Sequence, residues 1–386
     1  MNGGLIPYLS GFDWFNQTIK STSAFLSFDT TSLLSFLIYA VFASLLVFLV
    51  LMPIGGLGTY AERKISADLQ ARIGPNRVGP YGILQFLADG IKMVLKEDIV
   101  PVGADRFVFY LAPLLAMVGV FMTVAVLPLS SGLTMVHLDI GVFYLLAVSS
   151  LVGIAVFLGG YAPNSKWSLL GGMRGASQII SYEIPVVISV LAIVLLSGGM
   201  SFDVLVGSQG GLPHRWFLFH NPFTFLAFFV YFVGALAEAN RAPFDLPEAE
   251  SELVSGYHTE YTGMRFAFFA LAEYVEVFVL CAVAAALFLG GYNVPGELLK
   301  DHPLGQLLQL GAFFTKTLIL YYVVIWVRWT LPRIRVDQLM TICWKYLTPI
   351  ALFNLVGCAL WMYCFDGKSI VSLLFESGVG AASGGH

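Results

Sequence analysis

Apolar runs of about 18 residues or more recur along the whole chain, each long enough for a helix to cross a hydrocarbon core. A soluble domain cannot hide so many. Composition agrees, because 58% of the 386 residues are hydrophobic and 11% are charged, where a soluble domain carries about 25% charged. Secreted enzyme, nucleic-acid binder and disordered scaffold are excluded together. The expected fold class is all-α, a polytopic transmembrane helix bundle forming one integral-membrane domain over residues 1–386.

Window length and hydropathy place eight spans at about 33–58, 107–128, 138–160, 178–198, 221–238, 264–290, 308–331 and 347–365. Fifteen of the 20 Lys and Arg residues fall in the loops 59–106, 161–177, 239–265 and 328–346, and four in the opposite set. Basic loops stay cytoplasmic, so both termini are expected on the outer, periplasmic side. Residues 81–97 read differently. Gln85, Asp89, Lys92 and Lys96 recur at helical spacing opposite Ile83, Leu87, Ile91 and Val94. That pattern predicts an amphipathic helix in the membrane interface, since the insert is too short to bury a core of its own. The first 30 residues lack the basic start and small-residue cleavage site of a signal peptide, so the N-terminus is read as retained.

The usual carriers of redox and nucleotide chemistry are missing from the pattern. No GxGxxG follows a strand and no Walker loop occurs; Gly55-Gly56-Leu57-Gly58 reads as a packing feature at a helix end. Cys281, Cys343, Cys358 and Cys364 form no CxxC pair, so neither zinc nor an iron–sulfur cluster is expected here. No metal ligand set and no complete catalytic arrangement is expected. If the chain serves an enzyme, the hard chemistry belongs to a cofactor or another subunit.

Charges in the wrong solvent carry the functional signal. An ionisable group at the membrane centre costs about 2.5–3.5 kcal/mol on insertion scales and usually marks an ion or proton path. Glu183 lies inside the fourth span, Glu238 closes the fifth, and Glu273 and Glu276 share one face of the sixth. Lys316 lies within the seventh. Simple pairing or snorkelling is the competing reading, strongest for Glu238 at a helix end. The loop 239–262 adds Asp245, Glu248, Glu250, Glu252 and Glu260 against one Arg241, on the side where basic residues collect. Pro243 and Pro247 beside Phe244 argue that this loop has a fixed conformation. The expected order of a proton path runs from these acids to Glu238, and on through Glu273 and Glu183.

Several segments resemble one family: Glu62-Arg63-Lys64, ARIGPNRVGPYGILQFLADGIK (71–92), QIISYE (178–183), AEANRAPFDLPEAESELVSGYHTEY (237–261), AEY (272–274) and WVRWTLPRIRVDQLM (326–340). It is the H subunit of bacterial proton-pumping NADH:quinone oxidoreductase, respiratory complex I. The resemblance runs over about residues 40–350 in the same order. It implies a quinone-access tunnel built from the first span, the interfacial helix, the sixth span and the acidic loop. Glu62, Arg63, Phe86, Asp89, Arg241 and Phe244 are then expected at the quinone. Glu183, Glu238 and Glu273 form the buried path, with the five loop acids leading to it. Glu276 departs from the uncharged polar residue the family suggests there. Arg328, Arg333, Arg335 and Asp337 are expected to dock the quinone-reducing peripheral-arm subunits. Quinone is the implied substrate, and flavin and iron–sulfur clusters are implied in partner subunits. Other membrane-arm subunits and lipids are the remaining implied partners, in a bacterial inner membrane. A membrane subunit of a related energy-converting hydrogenase is the alternative, and the complete GPNRVGPYG stretch favours the quinone enzyme. A secondary transporter is disfavoured, because no internal inverted repeat is visible.

Overall fold

The computed structural model describes residues 52–247, 250–295, 303–365 and 369–370. Among the described residues the regular structure is entirely helical, the solution open to a backbone that must satisfy its own hydrogen bonds in lipid. Helix α1 covers 52–69, α2 Gln85–Leu95, α3 Arg106–Val126, α4 Gly141–Tyr161 and α5 Lys166–Ser197. There follow a short α6 (Phe202–Gly207), α7 (Pro222–Glu238), α8 (Gly263–Phe288), α9 (Pro303–Thr330) and α10 (Val336–Phe365). Six of these, α3, α4, α5, α8, α9 and α10, are long and apolar enough to cross a membrane. Helix α7, at 17 residues, is apolar but shorter.

Local chemistry sets the boundaries. Asp105 begins α3 by accepting from the Phe107 and Val108 amides. A capping box between Asn221 and Thr224, with Pro222 in the first turn, begins α7. Gly198, at φ 72°, ends α5 in the left-handed region.

Several boundaries depart from the sequence reading. The helix of the fourth span starts at Lys166 instead of 178. Its added turns are polar and glycine-rich, which lowers hydropathy, but the glycines let them pack closely. A β-carbon on Gly160 or Gly172 would lie under 3 Å from the other residue's Cα, so α4 and α5 touch backbone to backbone. The last helix starts at Val336 instead of 347 and runs through a π-helical stretch, Ile342–Leu347. There Leu339 and Cys343 are buried while Asp337, Gln338 and Lys345 are exposed, an amphipathic extension that an apolar window overlooks. Helix α2 is shorter than 81–97, because Tyr81 at φ 55° breaks it from the turn Pro80–Gly82. Of the expected first span, 33–51 lies outside the described residues, and the helix over 52–58 continues to 69.

Helix α8 is the axis of the bundle. Every residue from Val275 to Phe288 is buried, which is the signature of a helix surrounded on all sides. It packs on α3, α7, α9 and the amphipathic α2. Helix α4 lies between α3 and α5, and α10 rests on α5 and α7.

Candidate functional site

Glu62 of α1 is 7% exposed and meets two guanidinium groups. Arg328, in the last turn of α9, is in direct ion-pair contact with one oxygen, and Arg241 of the acidic loop stands 3.8 Å from the other. The Arg241 guanidinium also lies 4.2 Å from the centre of the Tyr274 ring on α8, a cation–π contact. Four elements thus meet at one buried charge centre, where two arginines face one carboxylate. Arg328, expected at the docking surface, is turned inward onto Glu62, with a quarter of its side chain exposed.

Helix α2 leans on α1 nearby. Arg63 pairs with Asp89 at 2.6 Å, and Gln85 Nε2 donates to the other Asp89 oxygen at 3.1 Å. The Phe86 ring lies against Gly56, where a β-carbon would come within 2.5 Å of it. Glycine there lets the two helices close up. The apolar side of α2, with Ile83, Leu87, Ile91 and Val94, is exposed.

The acidic loop is pinned from several directions. Gln178 Nε2 donates to the Ala237 and Phe244 carbonyls at 2.7 Å each and to Asn240 Oδ1 at 3.2 Å. The Ile334 amide donates to the Pro243 carbonyl at 3.1 Å, and Arg333 pairs with Asp245 at 2.9 Å. Burial pushes the Asp245 carboxyl above its ordinary range, and the facing Arg333 opposes that push. Arg333 thus holds the loop from an exposed position, and Arg335 and Asp337 are exposed as well. Phe244, expected against quinone, is 4% exposed and tilts onto the Tyr182 ring at 5.6 Å. Glu252 pairs with Arg174 at the surface at 2.7 Å, and Glu260 is half-buried. Glu248 and the side chain of Glu250 lie outside the described residues.

The membrane carboxylates lie within reach of one another's charge. Asp245 is within electrostatic range of Glu273, Glu276 of both Glu273 and Glu238, and Glu238 of Glu183. Glu276, 6% exposed, thus feels the charge of both Glu273 and Glu238, and Glu238 feels that of Glu183. Tyr257, fully buried at the end of the loop, donates its hydroxyl to Glu273 at 2.5 Å. Glu238 is 3% exposed and shares with Ser149 and Tyr231 a cavity of about 10 Å³, room for about one water.

Lys316 stands apart from this group. Its Nζ donates to the Gly291 and Asn293 carbonyls at 2.8 and 3.2 Å, just past the end of α8, and lies 5.1 Å from the Trp216 ring. Asn293 in turn donates to the Val206 and Gln209 carbonyls. Gln209 donates to the Ala286 and Leu287 carbonyls and accepts from the Phe217 and Gly290 amides. Gln178, Gln209, Tyr257 and this role of Lys316 escaped the sequence reading. A single amide or phenol carries no spacing signal.

Residues 41–359 match the model of the NADH dehydrogenase family. The chain is 46% identical over 322 residues to the H subunit of the NADH-quinone oxidoreductase of Anaeromyxobacter dehalogenans, covering 80% of this chain and 78% of that one. It is 48% identical over 318 residues to NADH-quinone oxidoreductase subunit 8 of Rhodothermus marinus, covering 80% and 92%. With the corresponding H subunit from Bacteroides fragilis it shares 42% identity over 353 residues, covering 89% and 94%. A match of this extent, on a helical bundle with several apolar helices, means that the chain belongs to the NADH dehydrogenase family.

Proposed function

We propose that this multi-pass membrane chain is the subunit of an NADH:quinone oxidoreductase that forms the quinone-access tunnel and couples quinone reduction to proton translocation. The observation that carries the reading is a group of carboxylates, Asp245, Glu273, Glu276, Glu238 and Glu183, each within electrostatic reach of another, with Arg328 of the Glu62–Arg241–Arg328 centre acting on Asp245. Quinone reduction consumes electrons and protons together. Electrons arrive from flavin and iron–sulfur clusters in partner subunits. A reduced, negatively charged headgroup near the arginines shifts the proton affinity of the nearest carboxylates. Coupled neighbours then titrate as a group, so a change at one member is felt by the others. Arg63, Phe86 and Asp89 offer the mixed apolar and polar wall that orients a prenylated ring. Exposed Arg335 and Asp337 belong to the surface that meets the peripheral-arm subunits. The location is a bacterial inner membrane, with the basic loops inside and both termini periplasmic.

Glu238→Gln keeps the shape and removes the proton site. The assembled complex carrying it should oxidise NADH with an artificial acceptor normally and lose NADH-driven acidification of vesicles. Wild-type acidification by that variant would overturn the coupling role of the group.

A further inference from the structure

The segment leaving α2 is strapped to the first turn of α8 by contacts that the proposed mechanism does not use. Arg265, 7% exposed, pairs through Nη2 with Asp98 at 2.7 Å. Its guanidinium lies 3.9 Å from the centre of the Tyr110 ring and 5.1 Å from that of Phe109, both on α3. The Ile99 amide donates to Thr262 Oγ1 at 3.0 Å. Gly263, at φ 58°, lets the chain pass close to the Lys96 carbonyl, where a β-carbon would stand at 3.2 Å. Arg265 Nη1 has no hydrogen-bond partner among the described residues. The polar anchorage of this buried cation therefore rests on Asp98.

These contacts connect two working parts. At its head, α2 is held to α1 by the half-exposed Arg63–Asp89 pair, with side chains 50% and 30% exposed. At its tail it is held by a cation that is nearly out of water. From Arg265 an aromatic stack continues inward. Phe109 stacks on Tyr261 at 4.2 Å, Tyr261 and Tyr257 each set an edge on Phe269, and Tyr257 donates to Glu273. Arg265 and Glu273 stand on the same helix, about 12 Å apart at 1.5 Å per residue.

We infer that Arg265 and Asp98 are positioning residues, a clasp that holds the amphipathic helix against α8 so that the quinone entry stays at its working width. This rests on the tunnel reading above. An entry wall that is loose is in register for only part of the time, and the apparent affinity falls by that fraction. The clasp therefore sets KM for quinone and leaves the chemistry, reached only after entry, at its own rate.

Asp98→Asn removes the charge on the exposed partner and disturbs packing least. In the assembled complex it should raise KM for a short-chain quinone about fivefold, equivalent to about 1 kcal/mol of binding free energy, and leave kcat within about twofold. Asp98→Glu should restore most of the affinity. Thr262→Val, which removes the Ile99 anchor, should shift KM in the same direction by less. Amide hydrogen exchange over residues 85–100 provides a readout that needs no quinone, and Asp98→Asn should speed it. Unchanged exchange overturns the clasp, and faster exchange with a wild-type KM overturns its positioning role. Should the wild-type complex fail to reduce quinone, the tunnel reading itself falls, whatever the exchange data show.

Discussion

The two ends of α8 are held in different ways. Around its first half the contacts are ionic: Glu62 with Arg241 and Arg328, Arg63 with Asp89, Asp245 with Arg333, and Arg265 with Asp98. Around its last turn the contacts are neutral amides on backbone carbonyls, made by Gln209 and Asn293, with Lys316 as the charged donor. At the amide end Gln209 uses its nitrogen and its oxygen within the protein. At the ionic end two arginines meet Glu62, and charges carry the contacts. A network of neutral amides rigidifies, whereas buried charges respond to whatever charge arrives. Structure is secured at one end and responsiveness is kept at the other.

The largest effect is expected from breaking the ionic end. Glu62→Ala removes the carboxylate that Arg328 and Arg241 meet, and removing one partner of a buried ion pair costs about 3–5 kcal/mol. Quinone reduction should be lost almost completely, with a lower melting temperature of the complex. Adding Arg328→Ala should recover part of the stability, because the surplus positive charge goes with it. Thermal unfolding and NADH:quinone turnover on the three variants decide this. A double variant worse than Glu62→Ala would mean that the two arginines do not share the carboxylate.

A smaller and different effect is expected at the amide end. Gln209→Ala strands several buried backbone groups, at about 1–3 kcal/mol for each group left unsatisfied. It should lower the melting temperature and leave quinone KM and vesicle acidification unchanged. Lys316→Met should behave in the same way. A loss of acidification in Lys316→Met at normal turnover would break the comparison, because a charge read here as a fastener would then belong to the proton path.

Which parts of this were legible in the sequence follows from how local each signal is. Helices α3 and α4 could be read from run length because lipid demands apolar residues at every exposed position. The first turns of α5 could not, since their glycines mark backbone contact and look like a loop. Glu183, Glu238 and Glu273 stood out as charges in apolar runs, a property of the chain alone. The interaction of Glu276 with Glu238 did not, because it crosses from α8 to α7 and exists only in the packed bundle. The partners of Arg328 and Arg333 were not legible for the same reason. Arg333 lies 88 residues from its partner Asp245, and no spacing rule links such positions.

The smallest effect is expected at the rim of the ionic end, where Glu252 pairs with Arg174 at 2.7 Å with 59% and 31% of their side chains exposed. Exposed pairs contribute about 0–1 kcal/mol, so Glu252→Gln should leave stability where it is. As part of an acidic funnel, Glu252 acts through its field, and salt screens such fields over about 8 Å at physiological ionic strength. The variant should therefore slow NADH-driven acidification less than about twofold at low salt and leave it unchanged at physiological salt. Glu238 is 3% exposed and unscreened, so the loss in Glu238→Gln should persist at both. Measuring the two variants at both ionic strengths separates a surface field from a buried proton site. A salt-independent loss in Glu252→Gln would move that residue from the rim into the group itself, and the boundary of the responsive end would shift outward with it.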